Sequence, residues 1–282
     1  MFARSRNLRR ARAAAALAPS HPVDPAGELV GAEPIMLEGN EKRGVLLIHG
    51  FNDTPQSVAD LAAALNARGW TVHAPLLPNH GRPFAMHDPG GDADAWINHA
   101  RDAWIALRAR VDQCVLMGQS MGGSIAVILA VEERAPDALV LVAPYLTMSP
   151  LVQAGAAIWP LARIVMPIVL SSPTGGLHDP AARARSLSSG QFTPRLVWQL
   201  LRVVHRARRA LPRLGVPTLV VQSRHDYRIP NHAAESAYAS IGARDKRLVW
   251  RDVGGHVLAA DEGHEEVAAL IAQWMEQKVA RP

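Results

Sequence analysis

In Gly118-Gln119-Ser120-Met121-Gly122-Gly123 a serine stands among glycines directly after the apolar run Val115-Leu116-Met117. A serine hydroxyl is a weak nucleophile near neutral pH and attacks usefully only when a neighbouring base takes its proton. The G-x-S-x-G spacing fits a nucleophile elbow, a strand that turns sharply into a helix and lifts the hydroxyl clear of the backbone. Gly118 and Gly122 suit such a turn, because side chains there would collide with neighbouring backbone.

The remaining groups are sought in a fixed order: nucleophile, then acid, then histidine, the last two on loops after later strands. The apolar residues 218–222 lead into Ser223-Arg224-His225-Asp226, which makes Asp226 the candidate acid. Residues 247–250 lead into Asp252-Val253-Gly254-Gly255-His256, which makes His256 the candidate base. His225, His264, Asp252 and Asp261 are the local rivals, and a capping aspartate with a polar loop histidine is the plain structural alternative. The oxyanion formed on a carbonyl needs two preorganised donors. The backbone N–H groups of Met121 and of Phe51, in His49-Gly50-Phe51, are placed to supply them, and His49 reads as a structural loop residue.

These residues need a sheet to position them. Residues 44–50, 70–74, 114–117, 138–142, 218–222 and 247–250 are short apolar runs, the pattern of buried parallel strands. Helical spacing separates them: Val58, Leu61 and Leu65 share one face, and Trp96, Ala100, Trp104 and Leu107 another, where the tryptophans read as core packing. Further helices are expected over residues 121–134 and 265–279. Strands alternating with helices predict an α/β fold with a doubly wound, mostly parallel sheet and ligands at the carboxyl ends of its strands. Residues 145–207 are too many for one crossover helix and predict an apolar helical cap or lid inserted at that end. Within it, residues 151–170 superficially resemble a membrane span, but Arg163, Pro160 and Pro167 argue against one. The core is then expected in residues 26–144 and 208–282.

With 282 residues, 49% of them hydrophobic, the chain can bury one large core. Its formal net charge of +5 gathers partly in Arg4, Arg6, Arg9, Arg10 and Arg12 and partly in Arg202, Arg206, Arg208 and Arg209. Solvated faces explain both groups, with weak attraction to an anionic membrane surface as the alternative. No motif or aromatic platform for nucleic acid accompanies them. Residues 1–25 are expected as a disordered tail. A signal peptide is the alternative, weakened by a short apolar stretch built mainly of alanine. The single cysteine, Cys114, excludes an intramolecular disulfide and fits a reducing, cytoplasmic setting. His73, His80, His87, Asp88 and Asp92 are metal-ligand types without metal-ligand spacing.

Taken together, the His49-Gly50-Phe51 strand end, the elbow, Asp226 and Gly254-Gly255-His256-Val257 resemble the α/β-hydrolase fold from about residue 34 onwards. More narrowly they resemble bacterial carboxylesterases and monoacylglycerol-lipase-like serine hydrolases. Pro75-Leu76-Leu77-Pro78-Asn79-His80-Gly81 resembles a loop of that branch, with Asn79 where glycine is usual. The resemblance implies no cofactor and no metal, and hydrolysis of short- to medium-chain esters or monoacylglycerols through an acyl-enzyme. Serine aminopeptidase, C–C bond hydrolase and acyltransferase activities share this triad, and a non-catalytic scaffold is the remaining alternative. The absence of any carboxylate from residues 151–170 counts against an aminopeptidase.

Overall fold

The computed structural model of the protein describes residues 2–17, 21–40, 42–83, 91–171, 176–188 and 190–279. Among them, strands β1 (Ile35–Leu37), β2 (Arg43–Ile48), β3 (Thr71–Ala74), β4 (Gln113–Gln119), β5 (Ala138–Val142), β8 (Thr218–Ser223) and β9 (Lys246–Arg251) form the main sheet. Its order is β1-β3-β2-β4-β5-β8-β9, with only β1 antiparallel to its neighbour. The central strands are apolar on both faces because both are covered. Leu46, Ile48, Leu116 and Leu139 pack under α3 (Ala93–Arg108), α4 (Met121–Glu132) and α8 (Pro194–Ala210). Val45, Leu47, Val115 and Val140 pack under α2 (Ala59–Asn66) and the last helix, His264–Lys278. Alternation with period two sends successive side chains to opposite layers.

Trp96 and Trp104 lie buried in the first layer, as core residues. Cys114 is a buried free thiol, its pKa pushed well above the usual thiol range by burial. Asp92, one of the metal-type residues, caps α3 by accepting from the Ala95 N–H at 2.8 Å. His87 and Asp88 lie outside the described residues.

Between β5 and β8 the chain leaves the sheet through α5 (Pro150–Ala157), α6 (Trp159–Val165), the antiparallel pair β6 (Val169–Leu170) and β7 (Gln191–Phe192), and α7 (Pro180–Arg185). Pro160 and Pro167 break the apolar stretch into short pieces. No helix among the described residues is long and apolar enough to cross a membrane. The excursion ends at Thr193, earlier than the expected residue 207. Leu196, Leu200, Val203, Val204 and Ala207 of α8 belong to the core layer around α4, so α8 acts as the crossover helix.

The N-terminus also differs from the expected tail. Residues Phe2–Leu17 form the helix α1, and tertiary contacts hold it. The Asn7 amide donates to the Ile168 carbonyl at 2.8 Å and accepts from the Ile168 N–H at 3.2 Å. Ala11 is buried, and its carbonyl accepts from the Gln191 side chain.

Candidate active site

The elbow is built from backbone constraints. Ser120 sits between β4 and α4 at φ 55° and ψ −118°, a left-handed conformation that costs a non-glycine residue free energy. It persists because the surrounding backbone closes on it. A Cβ at Gly118 would lie 2.2 Å from the Gly122 carbonyl group, and one at Gly122 would lie 2.0 Å from the Ile48 oxygen. The loop after β2 also comes close, since a Cβ on Gly50 would sit 3.4 Å from the Ser120 Cβ.

Residues from three loops meet there. Ser120 Oγ lies 2.8 Å from His256 Nε2, and His256 Nδ1 lies 2.8 Å from Asp226 Oδ2. Asp226 and His256 are both buried, each 5% exposed. Burial alone would raise the Asp226 carboxyl. The charge and hydrogen bond of His256 and the N–H groups of Ile229 and Arg228 outweigh it and hold the pKa below the usual carboxylate value. Gln222 adds a fourth donor at 2.9 Å. An ionised Asp226 can only accept, so His256 carries its proton on Nδ1. Nε2 is then the acceptor for the Ser120 hydroxyl, which is the tautomer a general base requires.

The rivals take structural places. Asp261 accepts from the Gly255 N–H at 2.6 Å and from the His178 and Asp179 N–H groups, tying the His256 loop to the insertion. Asp252 pairs with Arg224 at 3.1 Å. His264 bonds the Asp261 carbonyl, and the His225 ring faces that of His178. His49 is fully buried and held neutral, its pKa lowered by burial to about 4. Its Nε2 accepts from the Leu77 N–H at 3.1 Å, so Nδ1 donates to the Gly50 carbonyl at 2.8 Å. The ring therefore staples the Phe51 loop to the Leu77 loop. In that second loop Asn79 has φ 61°, a conformation that glycine takes freely and asparagine tolerates best among the others. His80 packs edge-on against His49, Phe51 and Trp96.

Met121 opens α4, where the first-turn N–H groups have no intrahelical acceptor. Phe51, Ser120 and His256 line one cavity of about 340 Å³. Val152, Val169, Leu170, Phe192, Val197 and Leu200 give it an apolar wall drawn from the insertion and α8.

Two charged lining residues were not anticipated: Asp53, from the loop after β2, and Arg228, two residues beyond Asp226. Burial pushes the Asp53 carboxyl up to about 6, although the Thr54 N–H and the charges of Arg228 and His256 pull the other way. The sequence reading takes Asp53-Thr54-Pro55 as a helix start. The helix does start there, as a 3₁₀ turn at Pro55–Val58 that leads into α2 with Thr54 at its N-cap position, but the Thr54 hydroxyl makes no capping bond. The only available signal was that each lies two residues beyond a predicted site residue, Phe51 or Asp226.

A serine at the strand-to-helix turn, hydrogen-bonded to a histidine and through it to an aspartate on loops after later strands of a mainly parallel sheet, places the chain among α/β-hydrolases of the serine-hydrolase class. It is an enzyme by fold and by descent. Residues 39–263 match the family described as serine aminopeptidase, S33, and the chain belongs to that family. It is 29% identical to a thermostable monoacylglycerol lipase of Bacillus sp. (strain H-257), over 83% of this chain and 90% of that one. It is 27% identical to a carboxylesterase of Bacillus subtilis (strain 168), over 89% of this chain and 98% of that one. A solved structure from work on LipS and LipT, two metagenome-derived lipolytic enzymes, superposes with a TM-score of 0.80 at 28% identity, over 91% of this chain and all of that one.

Proposed function

We propose that this protein is a carboxylic-ester hydrolase acting on short- to medium-chain acyl esters, monoacylglycerols among them, through an acyl-enzyme on Ser120. The observation that carries this reading is the hydrogen-bonded chain Asp226–His256–Ser120 opening into an apolar cavity. His256 takes the Ser120 proton as Oγ attacks the carbonyl carbon, and the Phe51 and Met121 N–H groups stabilise the oxyanion. His256 then protonates the departing alcohol and activates the water that cleaves the acyl-enzyme. The acyl chain lies against Val152, Leu170, Phe192 and Leu200, where an apolar tail gains from leaving water and a charged one does not. The names of the two Bacillus relatives support the ester class.

The family description raises aminopeptidase chemistry, which needs a carboxylate for the substrate ammonium. Asp53 is the cavity's acidic side chain among the described residues. It faces the positive charge of Arg228, which weakens its attraction for a substrate ammonium. The buried thiol of Cys114 supports a cytoplasmic setting.

The test is turnover of p-nitrophenyl acyl esters of graded chain length. Ser120→Ala is expected to lower kcat/KM on the order of 10⁴-fold or more while leaving the fold intact. Full activity in that variant would refute the reading. A preference for aminoacyl-p-nitroanilides over esters would transfer it to the peptidase class.

A further inference from the structure

We propose that the outer face of α5 and α6, together with the basic helix α1, forms a docking surface for an anionic lipid bilayer that delivers apolar esters to the cavity mouth. Three observations converge on one side of the molecule.

The first is apolar exposure where it is costly. Leu151 is 83% exposed, Leu161 67%, Ile164 58% and Ile158 55%, with Val165 and Met166 beside them. Single exposed apolar residues are ordinary, but a run of them along two consecutive short helices is a patch that water disfavours. Neither helix contains a carboxylate.

The second is charge. α1 lies against α6 and is fixed to the insertion by Asn7 and by the Ala11 carbonyl. Arg4, Arg6, Arg9, Arg10 and Arg12 are all exposed, and α1 has no acidic residue. Among the described residues no carboxylate pairs with any of the five. The chain's other basic cluster behaves differently. On α8, Arg202 pairs with Asp94 at 2.6 Å, and Arg206 with Asp94 and Glu132. Carboxylates thus balance Arg202 and Arg206 of the core helix, while among the described residues none balances the five arginines beside the apolar patch. That combination of basic rim and apolar centre complements anionic headgroups over acyl chains.

The third is continuity with the site. Val152 on α5 and Leu170, four residues beyond Met166, are exposed and also line the cavity that holds Ser120. A lipid ester leaving a bilayer seated here would enter the cavity without crossing water.

This inference goes beyond ester hydrolysis, and its test reads binding rather than turnover. The full chain is floated with vesicles of phosphatidylcholine alone and with added phosphatidylglycerol, across a salt series. Binding is expected on the anionic vesicles, weaker on the neutral ones, and falling with salt. Replacing Arg4, Arg6, Arg9, Arg10 and Arg12 with glutamine is expected to lower the anionic partition coefficient by roughly tenfold or more. Leu161→Asp with Ile164→Asp is expected to lose binding to both vesicle types. Both variants should hydrolyse water-soluble p-nitrophenyl acetate at the parental rate, which separates loss of docking from loss of the site. Equal binding to both vesicle types, or binding unmoved by either variant, would overturn the proposal. So would sedimentation showing a dimer that Leu161→Asp with Ile164→Asp dissolves, because a second copy would then cover the face.

Discussion

The carboxyl end of the sheet and the insertion above it are built on opposite physical terms. At the sheet, Ser120, Asp226 and His256 are locked by hydrogen bonds, steric closure of glycines and burial in a continuous core. In the insertion, short helices broken by proline expose large apolar side chains. The contrast separates two tasks. Proton transfer tolerates little displacement of its groups, and the proposed triad is held at the β4–α4 turn and on the loops after β8 and β9. Holding apolar acyl chains of varied length requires apolar area rather than directed bonds, and the insertion supplies that.

Substitutions in the two regions should therefore differ in kind and size. The largest effect after loss of Ser120 itself is expected for Asp226→Asn. The amide favours the wrong His256 tautomer, and kcat should fall on the order of 10³- to 10⁴-fold with KM little changed. A loss confined to KM would mean that Asp226 shapes the pocket instead.

For stability, Leu116→Ala in β4 removes a fully buried side chain and should cost about 2–5 kcal/mol in denaturant unfolding. Leu161→Ala on α6 should change unfolding by less than about 0.5 kcal/mol. Similar costs at both positions would erase the proposed difference between core and insertion.

A smaller, pH-dependent effect is expected at Asp53, which stands where the two regions meet. Its folded pKa is raised by burial to about 6 from an ordinary 3.8, so the unfolded chain ionises first. The stability that Asp53 contributes is present below about pH 4 and is lost as pH rises to about 6. Asp53→Asn removes that loss. The Tm of the variant relative to the parent should climb across this window and level off above it, and a pH-independent difference would contradict the assignment.

Legibility in the sequence followed the same division. The strand over residues 138–142 is found where expected, and those at residues 44–50, 70–74, 114–117, 218–222 and 247–250 within a few residues. A parallel strand buried on both faces announces itself as an unbroken apolar run. β1 was missed because Ile35-Met36-Leu37, at a half-exposed edge, is too short an apolar run to stand out. α1 was missed because arginine and alanine make no apolar stripe, and its place depends on Asn7 meeting Ile168, far away in sequence. The meeting of Ser120, Asp226 and His256 followed from motif and strand order. Asp53 and Arg228 were invisible as a pair because only the convergence of loops after β2 and β8 brings them together. α8 read as part of the insertion because amphipathic spacing does not say which surface a helix covers.

The central claim is that Ser120, activated by His256, carries the acyl group. It is tested most directly by quenching the enzyme during turnover of a p-nitrophenyl ester and mapping the adduct by peptide mass spectrometry. The account predicts the acyl mass on the peptide containing Ser120, and none in Ser120→Ala. An adduct on another residue, or steady turnover with no adduct on Ser120, would contradict it.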